Sequence, residues 1–258
     1  MTRKLYAERP GSGKDFDYDE ARHLVAYRYA ASLVAGKRVL DAGCGEGFAT
    51  QTLADTARHV VGADYHSESI ETARARWQRR DLEFRVLDLA AATPDDTFDV
   101  VLSFQVIEHI PDDHGFVAKL SRWLVPGGTL MLTVPNKARS FSENPCHIHE
   151  YTADELERLL RTAFAEVKVL GVFGTDRVVE FDRNRRRAVE RILEMDPLGL
   201  RHLLPERLMR VAFARLGQLV RRVAHRSVGD AAISIDDFTI CDSKALSEAT
   251  DLVALCKP

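Results

Sequence analysis

A glycine-rich turn between a predicted strand and a predicted helix constrains this chain more than any other segment. The apolar run 38–42 carries Asp41, and Gly43, Gly45 and Gly47 then alternate with other residues before a helical pattern begins. Glycine has no Cβ and tolerates positive φ, so such a turn brings backbone N–H groups close to a ligand. The helix N-terminus that follows favours an anion. The turn therefore predicts a ligand site, with a purely structural turn as the alternative.

Composition narrows the class of protein. The chain has 258 residues, 45% of them hydrophobic, and a net charge of -3. These values fit one α/β domain with additions or two small domains, and they predict no bulk attraction to nucleic acid. The four cysteines are scattered without a C-x-x-C pair, which favours reduced thiols over a disulfide or zinc framework. The N-terminus lacks the apolar core of a signal peptide, and no apolar run approaches the ~18 residues of a membrane span. We therefore expect a cytoplasmic protein.

Short apolar strands alternate with amphipathic helices after the turn. Strands are predicted at 38–42, 59–63, 83–87, 98–104 and 129–134, and helices near 46–57, 67–79, 115–123 and 152–163. Such alternation predicts a parallel sheet covered on both faces, with right-handed crossovers. Ligands of these sheets bind beyond the carboxyl ends of the strands. Polar residues are therefore expected at those ends.

The strand ends do carry polar residues. Asp64, about twenty residues after the turn, ends the second strand, where an acid accepts bonds from ribose hydroxyls. Asp88 and Leu89 follow the third strand and suit an adenine amino group and a backbone contact, respectively. The fourth strand ends in Phe104 and Gln105. Each acid alone is commonly a solvated helix cap, but consistent positions at several strand ends favour one shared crevice.

The turn is not the G-x-G-x-x-G of dinucleotide-binding proteins. Its G-x-G-x-G pattern after Asp41 resembles the first motif of class I S-adenosylmethionine-dependent methyltransferases, and the resemblance extends over about residues 20–170. It implies a Rossmann-like, doubly wound α/β sheet of seven strands with the last strand antiparallel, and S-adenosylmethionine as cofactor. The implied cofactor-binding residues are Asp41, Gly43, Cys44, Gly45, Asp64, Tyr65, Asp88, Leu89, Phe104 and Gln105.

The segment 105–110 bears on the chemistry. It resembles the E-x-x-E-H segment of methyltransferases that act on quinone catechols or RNA 3′ ends with a divalent ion, except that Gln105 replaces the first acid. The resemblance implies a catalytic or metal-binding role for Glu108 and His109, with Mg²⁺ or Mn²⁺ as the ion. A structural Glu-His pair, as in metal-free small-molecule methyltransferases, stays open as the alternative.

The segment 144–151 precedes a capping box at 152–155. It resembles an Asn-Pro-x-His-x-x-Glu-Tyr-Thr segment of methyltransferases that often act on sugars and polysaccharides. His147 stands at that family's histidine, whereas His149 stands where the family usually has Lys or Arg. The resemblance makes His147 a candidate general base and a third candidate metal ligand, because an imidazole suits removal of a hydroxyl proton. The alternative is that His147 hydrogen-bonds its own loop.

A long insertion separates the last two predicted strands, 166–172 and 251–256. The predicted methyltransferase domain is thus 1–172 with 251–258, and 173–250 is a helical insertion with helices near 184–195 and 206–225, acting as a substrate cap, a dimer contact or both. Residues 183–226 hold twelve Arg against four Asp or Glu. This excess allows an RNA or membrane docking surface, although solvated Arg-rich helices are commoner and few aromatics are present for base stacking.

The resemblance to these methyltransferases also implies that the N-terminal segment folds over the cofactor. A helix is predicted over 19–35, with Leu24, Val25, Tyr29, Leu33 and Val34 as its apolar positions and Gly36 as its C-cap. The aromatic side chains of Tyr6, Phe16 and Tyr18 are candidates to line the cofactor site, with an ordinary surface cover as the alternative.

Together these observations predict methyl transfer from S-adenosylmethionine to a hydroxyl oxygen of a small polar acceptor. A sugar or polysaccharide precursor is the favoured acceptor, with His147 as base and a divalent cation as a candidate helper. The alternatives are a quinone or phenol O-methyltransferase, a small-molecule N-methyltransferase, an RNA methyltransferase, and a cofactor-binding protein without catalysis. A homodimer through the inserted helices is a further expectation.

Overall fold

A computed structural model describes residues 17–89, 91–92, 96–140, 146–194 and 233–258. The chain divides into two compact units. The larger unit consists of 23–139, 148–173 and 240–258, and the other consists of 1–22, 140–147 and 174–239. Among the described residues, no helix combines the length and the apolar character that crossing a membrane requires.

The fold is built on one mixed sheet of eight strands in the order β3-β2-β1-β4-β5-β8-β6-β7. The strands are β1 Arg38–Ala42, β2 His59–Asp64, β3 Leu82–Val86, β4 Phe98–Phe104, β5 Leu124–Pro135, β6 Glu166–Gly174, β7 Phe238–Cys241 and β8 Asp251–Lys257. Strands β1 to β5 are parallel, and β8 runs antiparallel to both β5 and β6. The predicted Rossmann-like fold with an antiparallel final strand is confirmed.

Helices connect the strands. They are α1 Asp17–Val34, α2 Thr50–Leu53, α3 Ser67–Arg76, α4 Asp113–Arg122, α5 Ala153–Leu160 and α6 Asp176–Glu194. The predicted capping box at the start of α5 is confirmed, since Thr152 Oγ1 accepts from the Glu155 backbone and the Glu155 carboxylate accepts from the Thr152 backbone. Gly36 takes a φ of 69° just after α1, as a helix C-cap requires.

Register brings the carboxyl ends of the strands to one edge. Ala42 of β1 pairs with Ala63 of β2, and Asp41 pairs with Leu102 of β4. Alternate residues along β1, β2, β5 and β8 share one face of the sheet, and with the helices packed there they bury a continuous apolar core, including Leu40, Val101 and Leu132 at 0% exposure. The core holds these strands rigidly, so the residues that follow each strand start from fixed positions.

Three sequence predictions about the fold need correction. The sheet has eight strands, not seven, because Phe238–Cys241 within the predicted helical insertion forms an edge strand. The helix predicted near 46–57 is only Thr50–Leu53, because the glycine turn continues further into that segment. The helix predicted near 184–195 begins eight residues earlier, at Asp176. The helix predicted at 206–225 lies outside the described residues.

The apolar face of α1 also differs from the prediction. Val25 and Val34 are buried, as expected, but Leu24, Tyr29 and Leu33 are only half-buried. The helix instead buries Ala26, Tyr27 and Ala30. Alanines contribute little to a hydrophobic pattern, yet their small size lets a helix pack closely. The buried face of α1 is therefore rotated by a fraction of a turn from the predicted one.

The smaller unit has a buried polar contact at its centre. Tyr18 stacks on Phe181 of α6 with ring centroids 4.6 Å apart, and its hydroxyl donates to Asp182 at 2.7 Å. Phe238 packs edge-on against the same Tyr18 ring. The Tyr18 side chain, predicted as a candidate to line the cofactor site, is therefore engaged in packing this unit. Tyr6 and Phe16 lie outside the described residues.

Candidate functional site

The glycine turn adopts the left-handed backbone that its sequence predicts. Gly43, Gly45 and Gly47 have φ values of 97°, 55° and 73°. The N–H groups of Gly43 and Cys44 both donate to the carbonyl of Ala63, at 2.7 and 3.1 Å, which ties the turn to the end of β2. Residues with a Cβ avoid this region of φ, so three glycines in alternation are the chemical condition for the turn.

Close packing is a second reason for glycine at two of these positions. A Cβ at Gly43 would overlap the side chain of Val106, and a Cβ at Gly47 would lie 2.5 Å from the ring of Phe84. At Gly45 a Cβ would meet nothing within 4 Å. Gly45 therefore has open space in front of it. Gly43 is packed against the segment after β4, and Gly47 is packed against β3.

Asp41 is buried at the root of the turn. It is 1% exposed and accepts hydrogen bonds from Thr50 Oγ1 at 2.6 Å and from the Tyr27 hydroxyl at 3.1 Å. Burial raises the pKa of Asp41 to about 6, an effect that the two hydrogen bonds oppose and the charge of Asp64 assists. A buried carboxylate of this kind gains from a nearby cationic group, and the ammonium of an amino acid is such a group.

Asp64 joins the end of β2 to the glycine turn. Its carboxylate accepts from the backbone N–H of Gly45 at 3.0 Å and from that of His66 at 2.9 Å. Each carboxylate oxygen retains a second lone pair for a ligand hydroxyl. Tyr65 beside it is 60% exposed, so its ring presents a face to solvent at the same strand end.

The end of β3 lies beside that of β2, because the N–H of Leu87 donates to the carbonyl of Asp64 at 2.9 Å. Asp88 follows as an exposed residue whose carboxylate accepts from the N–H of Ala91 at 3.3 Å. Leu89 turns inward and is 7% exposed. Asp88 is therefore open to solvent at this strand end, whereas the Leu89 side chain is buried.

The end of β4 is strained. Gln105 is the one non-glycine residue with positive φ among the described positions, at 57°. Its N–H donates to the carbonyl of Thr133 at 3.0 Å, and Phe104 before it is 3% exposed. Strained backbone outside glycine concentrates at functional sites, where the fold fixes a turn that the sequence alone disfavours.

A short 3₁₀ turn, Ile107–His109, follows this strained residue. Glu108 is 1% exposed, His109 is half-buried, and a carboxylate oxygen of Glu108 lies within 4.8 Å of a ring nitrogen of His109. The carbonyl of Glu108 accepts from the N–H groups of Ile148 and His149 at 2.7 and 3.2 Å. The segment after β5 is thereby held against the turn after β4.

The same segment is anchored at its far end. The hydroxyl of Tyr151 donates to Asp113 at 3.0 Å, and its carbonyl accepts from the N–H of Lys137 at 3.0 Å. Burial and the carboxylate of Asp113 raise the pKa of Tyr151. Residues 148–151 are therefore fixed on both sides. His147, half-buried, ends the segment 140–147 of the smaller unit and is joined to Ile148 by one peptide bond.

Two residues at the site, Tyr27 and Thr50, were missed by sequence reasoning. Thr50 lies in the predicted helix after the turn, nine residues after Asp41, and Tyr27 lies in α1. The available signal was a tyrosine next to Ala26 on a helix, since a buried tyrosine hydroxyl needs a hydrogen-bond partner. The partner itself cannot be found without the fold.

The protein family and the relatives that this chain resembles in sequence are methyltransferases. The methyltransferase-domain family matches residues 40–132. A probable S-adenosylmethionine-dependent methyltransferase of Mycolicibacterium smegmatis is 41% identical over 179 residues, which is 67% of this chain and 69% of that protein. A ubiquinone biosynthesis O-methyltransferase of Mesorhizobium japonicum is 35% identical over 114 residues, 42% of this chain and 45% of that one.

A solved structure shares the fold over most of the chain. The [4+2]-cyclase SpnF aligns with a TM-score of 0.59 at 19% identity and covers 94% of this chain and 83% of that chain. At this identity the likeness concerns the fold alone. That protein is named as a cyclase, so the fold by itself does not fix the reaction, and the reaction follows only from the site.

Proposed function

Because the chain belongs to the S-adenosylmethionine-dependent methyltransferases, we propose that it transfers the methyl group of that cofactor to a hydroxyl oxygen of a small polar acceptor. The favoured acceptor is a sugar or a polysaccharide precursor. The proposed cofactor residues are those at the strand ends, from Asp41 and the glycine turn to Gln105. The proposed catalytic residues are His147, His109 and Glu108.

One observation carries the acceptor side of this proposal. The carbonyl of Glu108 accepts hydrogen bonds from the N–H groups of Ile148 and His149. The residues that directly follow His147 are therefore bound to the turn that carries Glu108 and His109. Both segments follow strands whose carboxyl ends form the ligand edge of the sheet. This arrangement supports an acceptor site at the same edge as the glycine turn.

The chemistry asks little of the protein beyond alignment and removal of one proton. The sulfonium carbon is already reactive, so the acceptor oxygen must be held in line with the methyl–sulfur bond. A sugar hydroxyl is a poor nucleophile at neutral pH unless a base takes its proton as the new bond forms. An imidazole has a suitable unperturbed pKa of about 6.5, which supports His147 in that role.

A divalent cation fits the residues of this turn. Two ligands of one ion at about 2.0–2.2 Å lie at most about 4.4 Å apart. A carboxylate oxygen of Glu108 and a ring nitrogen of His109 lie within 4.8 Å of each other, so at most a small side-chain adjustment would bring them to that separation. We propose these two side chains as ligands of Mg²⁺ or Mn²⁺. His147 is the third candidate ligand as an alternative to its role as base, because the one free lone pair of an imidazole cannot bind a cation and accept a proton at the same time. Such an ion would polarise the acceptor hydroxyl and make its proton easier to remove.

Substitution of His147 tests the proposal. S-adenosylhomocysteine release would be measured with sugars, quinols, amines and RNA as acceptors, with Mg²⁺, with Mn²⁺ and with a chelator. We expect turnover on a saccharide, and His147→Ala to lower its rate roughly 10²–10⁴-fold without changing cofactor affinity. His149→Ala, two residues away in the same loop, is the matched control and is expected to stay within a few-fold of wild type.

Each outcome is decisive for one part of the proposal. Wild-type turnover by His147→Ala would refute the base, and turnover that ignores the chelator would refute the cation. Activity confined to amines or RNA would refute the hydroxyl acceptor.

A quinol or phenol is the second candidate acceptor. The observation that favours it is the 35% identity, over 114 residues, to the ubiquinone biosynthesis O-methyltransferase of Mesorhizobium japonicum. A phenolic hydroxyl has a pKa near 10, far below that of a sugar hydroxyl, so it depends less on a base. If quinols are the substrates, the rate of His147→Ala should fall much less than it would on a sugar.

A further inference from the structure

The hydroxyl of Tyr27 is buried beside the carboxylate of β1. Tyr27 is 4% exposed, and its hydroxyl lies 3.1 Å from Oδ2 and 3.3 Å from Oδ1 of Asp41. Thr50 donates to Oδ2 from the opposite element, α2, at 2.6 Å. The carboxylate is thus held between a helix that precedes the sheet and a helix that follows the glycine turn.

The Tyr27 ring contacts a second strand end. It packs edge-on against Phe104 at the end of β4, with centroids 4.8 Å apart and an interplanar angle of 88°. One side chain of α1 therefore touches cofactor-site residues of both β1 and β4. This helix lies outside the segment 40–132 that matches the methyltransferase-domain family, so Tyr27 is an addition to the matched core.

We propose that Tyr27 is a positioning residue for the cofactor, holding the Asp41 carboxylate in the ionised form and the orientation that meet the cofactor's ammonium group. The inference rests on S-adenosylmethionine as the cofactor and on Asp41 as one of its proposed binding residues, but not on the identity of the acceptor. Tyr27 itself acts through Asp41.

The local electrostatics support this role. Burial favours the neutral form of Asp41, and a donated O–H favours the ionised form. Burial and the neighbouring Asp41 raise the pKa of Tyr27 well above its ordinary value, so its hydroxyl remains a donor throughout the neutral range. In the part of the chain that the structure describes, the other titratable groups that face this pair are Cys44 of the turn, Asp64 of β2 and His23, whose ring centroid is 5.3 Å from that of Tyr27.

A consequence for cofactor binding follows. Protonation of Asp41 removes the charge that attracts an ammonium group, so cofactor affinity should fall as the pH drops through the pKa of Asp41 in the free protein. The Tyr27 hydrogen bond lowers that pKa, and its loss must raise it. Without the hydroxyl, the affinity should begin to fall at a higher pH.

The test is a calorimetric titration of S-adenosylhomocysteine into wild type, Tyr27→Phe and Tyr29→Phe over a pH series from about 5 to 8. Tyr29 lies two residues further along the same helix, whereas the side-chain donors to Asp41 are Tyr27 and Thr50, so Tyr29→Phe makes the same chemical change at another position. We expect the bend of the Tyr27→Phe profile at higher pH than in wild type, with affinity about three- to tenfold weaker on the acid side and closer to wild type at pH 8. Tyr29→Phe should follow the wild-type profile. Since His23, Cys44 and Asp64 are common to all three proteins, they cancel in the comparison.

A pH-independent loss of affinity in Tyr27→Phe would mean that the residue only packs, and it would overturn the proposal, as would a profile identical to wild type. Thr50→Val removes the other donor to Asp41 and should shift the bend in the same direction, which keeps the test open if Tyr27→Phe folds poorly. No acceptor takes part, so an error in the proposed acceptor leaves the result valid. Absence of wild-type binding would instead refute the cofactor site together with this inference.

Discussion

The side chain of Asp41 shows how a single residue links stability to function in this protein. Its carboxylate is 1% exposed, and burial raises its pKa to about 6 although two hydroxyl groups donate to it. Keeping this group ionised at neutral pH therefore costs folding free energy in the absence of the cofactor. The cost is consistent with a binding site organised in advance for a cationic partner.

This cost predicts a pH dependence of stability. Because the pKa of Asp41 is higher in the folded than in the unfolded protein, the folded state binds the extra proton, and the contribution of Asp41 to stability rises as the pH falls. From about pH 7.5 to about pH 5, the free energy of unfolding of wild type should gain about 1–1.5 kcal/mol relative to Asp41→Asn, as an upper estimate. Urea unfolding of both proteins at the two pH values measures it.

The difference between the two proteins isolates Asp41 from the opposing carboxylates. Asp81 and Asp96 have lowered pKa values because arginines pair with them, so their contributions are lost in acid in both proteins alike. A difference that does not change with pH, or that favours Asp41→Asn in acid, would contradict the burial argument.

At the scale of elements, the glycine turn is the part of the fold that the sequence predicts best. Its positive φ values and its connection to the end of β2 follow from glycine spacing and from the parallel pairing of β1 and β2. What the sequence does not contain is the distance between segments. The contacts of Val106 with Gly43 and of Phe84 with Gly47 depend on tertiary packing. The helix after the turn is shorter than predicted because Gly47 still belongs to the turn.

Substitution at Gly43 tests the two reasons for glycine at this position, which are its positive φ and its close packing against Val106. Gly43→Ala should cost about 1–2 kcal/mol for the positive φ and more for the overlap with Val106, and should weaken cofactor binding. Gly127→Ala is the control, since Gly127 has a φ of 77° and nothing within 4 Å of its added Cβ. Denaturant unfolding gives both costs.

The double variant decides whether the overlap matters. In a Val106→Ala background, Gly43→Ala should cost about as much as Gly127→Ala does in wild type, because only the backbone cost remains. If Gly43→Ala costs the same with and without Val106, the overlap contributes nothing and the argument from close packing is wrong.

Over the whole molecule, the strand–helix alternation was sufficient to predict that β1 to β5 run parallel, whereas the antiparallel final strand was implied by the resemblance to the methyltransferases. It was insufficient for the insertion. Phe238–Cys241 has only four residues, too few for a recognisable alternation. The first turns of α6 bury Val178 and Phe181 in a segment rich in charged residues, where two apolar positions are a weak helical signal. Tyr27 illustrates the same limit at the site, because its partner is fourteen residues away and is reached only through the fold.

The cofactor could be predicted from the sequence, whereas the acceptor could not. Motif residues at the strand ends indicated the cofactor, and the relatives agree with that prediction. The acceptor depends on loops and on the insertion, where a sequence pattern fixes neither distance nor orientation. His147 and the cation therefore stand as proposals that the acceptor assays decide.

The most direct test of the central claim is a calorimetric titration of wild-type protein with S-adenosylhomocysteine at about pH 7.5, with NADH titrated in parallel. We predict one cofactor bound per chain, no heat from NADH, and a large loss of affinity in Asp41→Asn. Binding of NADH without binding of S-adenosylhomocysteine, or binding of S-adenosylhomocysteine that is indifferent to Asp41, would contradict the placement of the cofactor at the glycine turn.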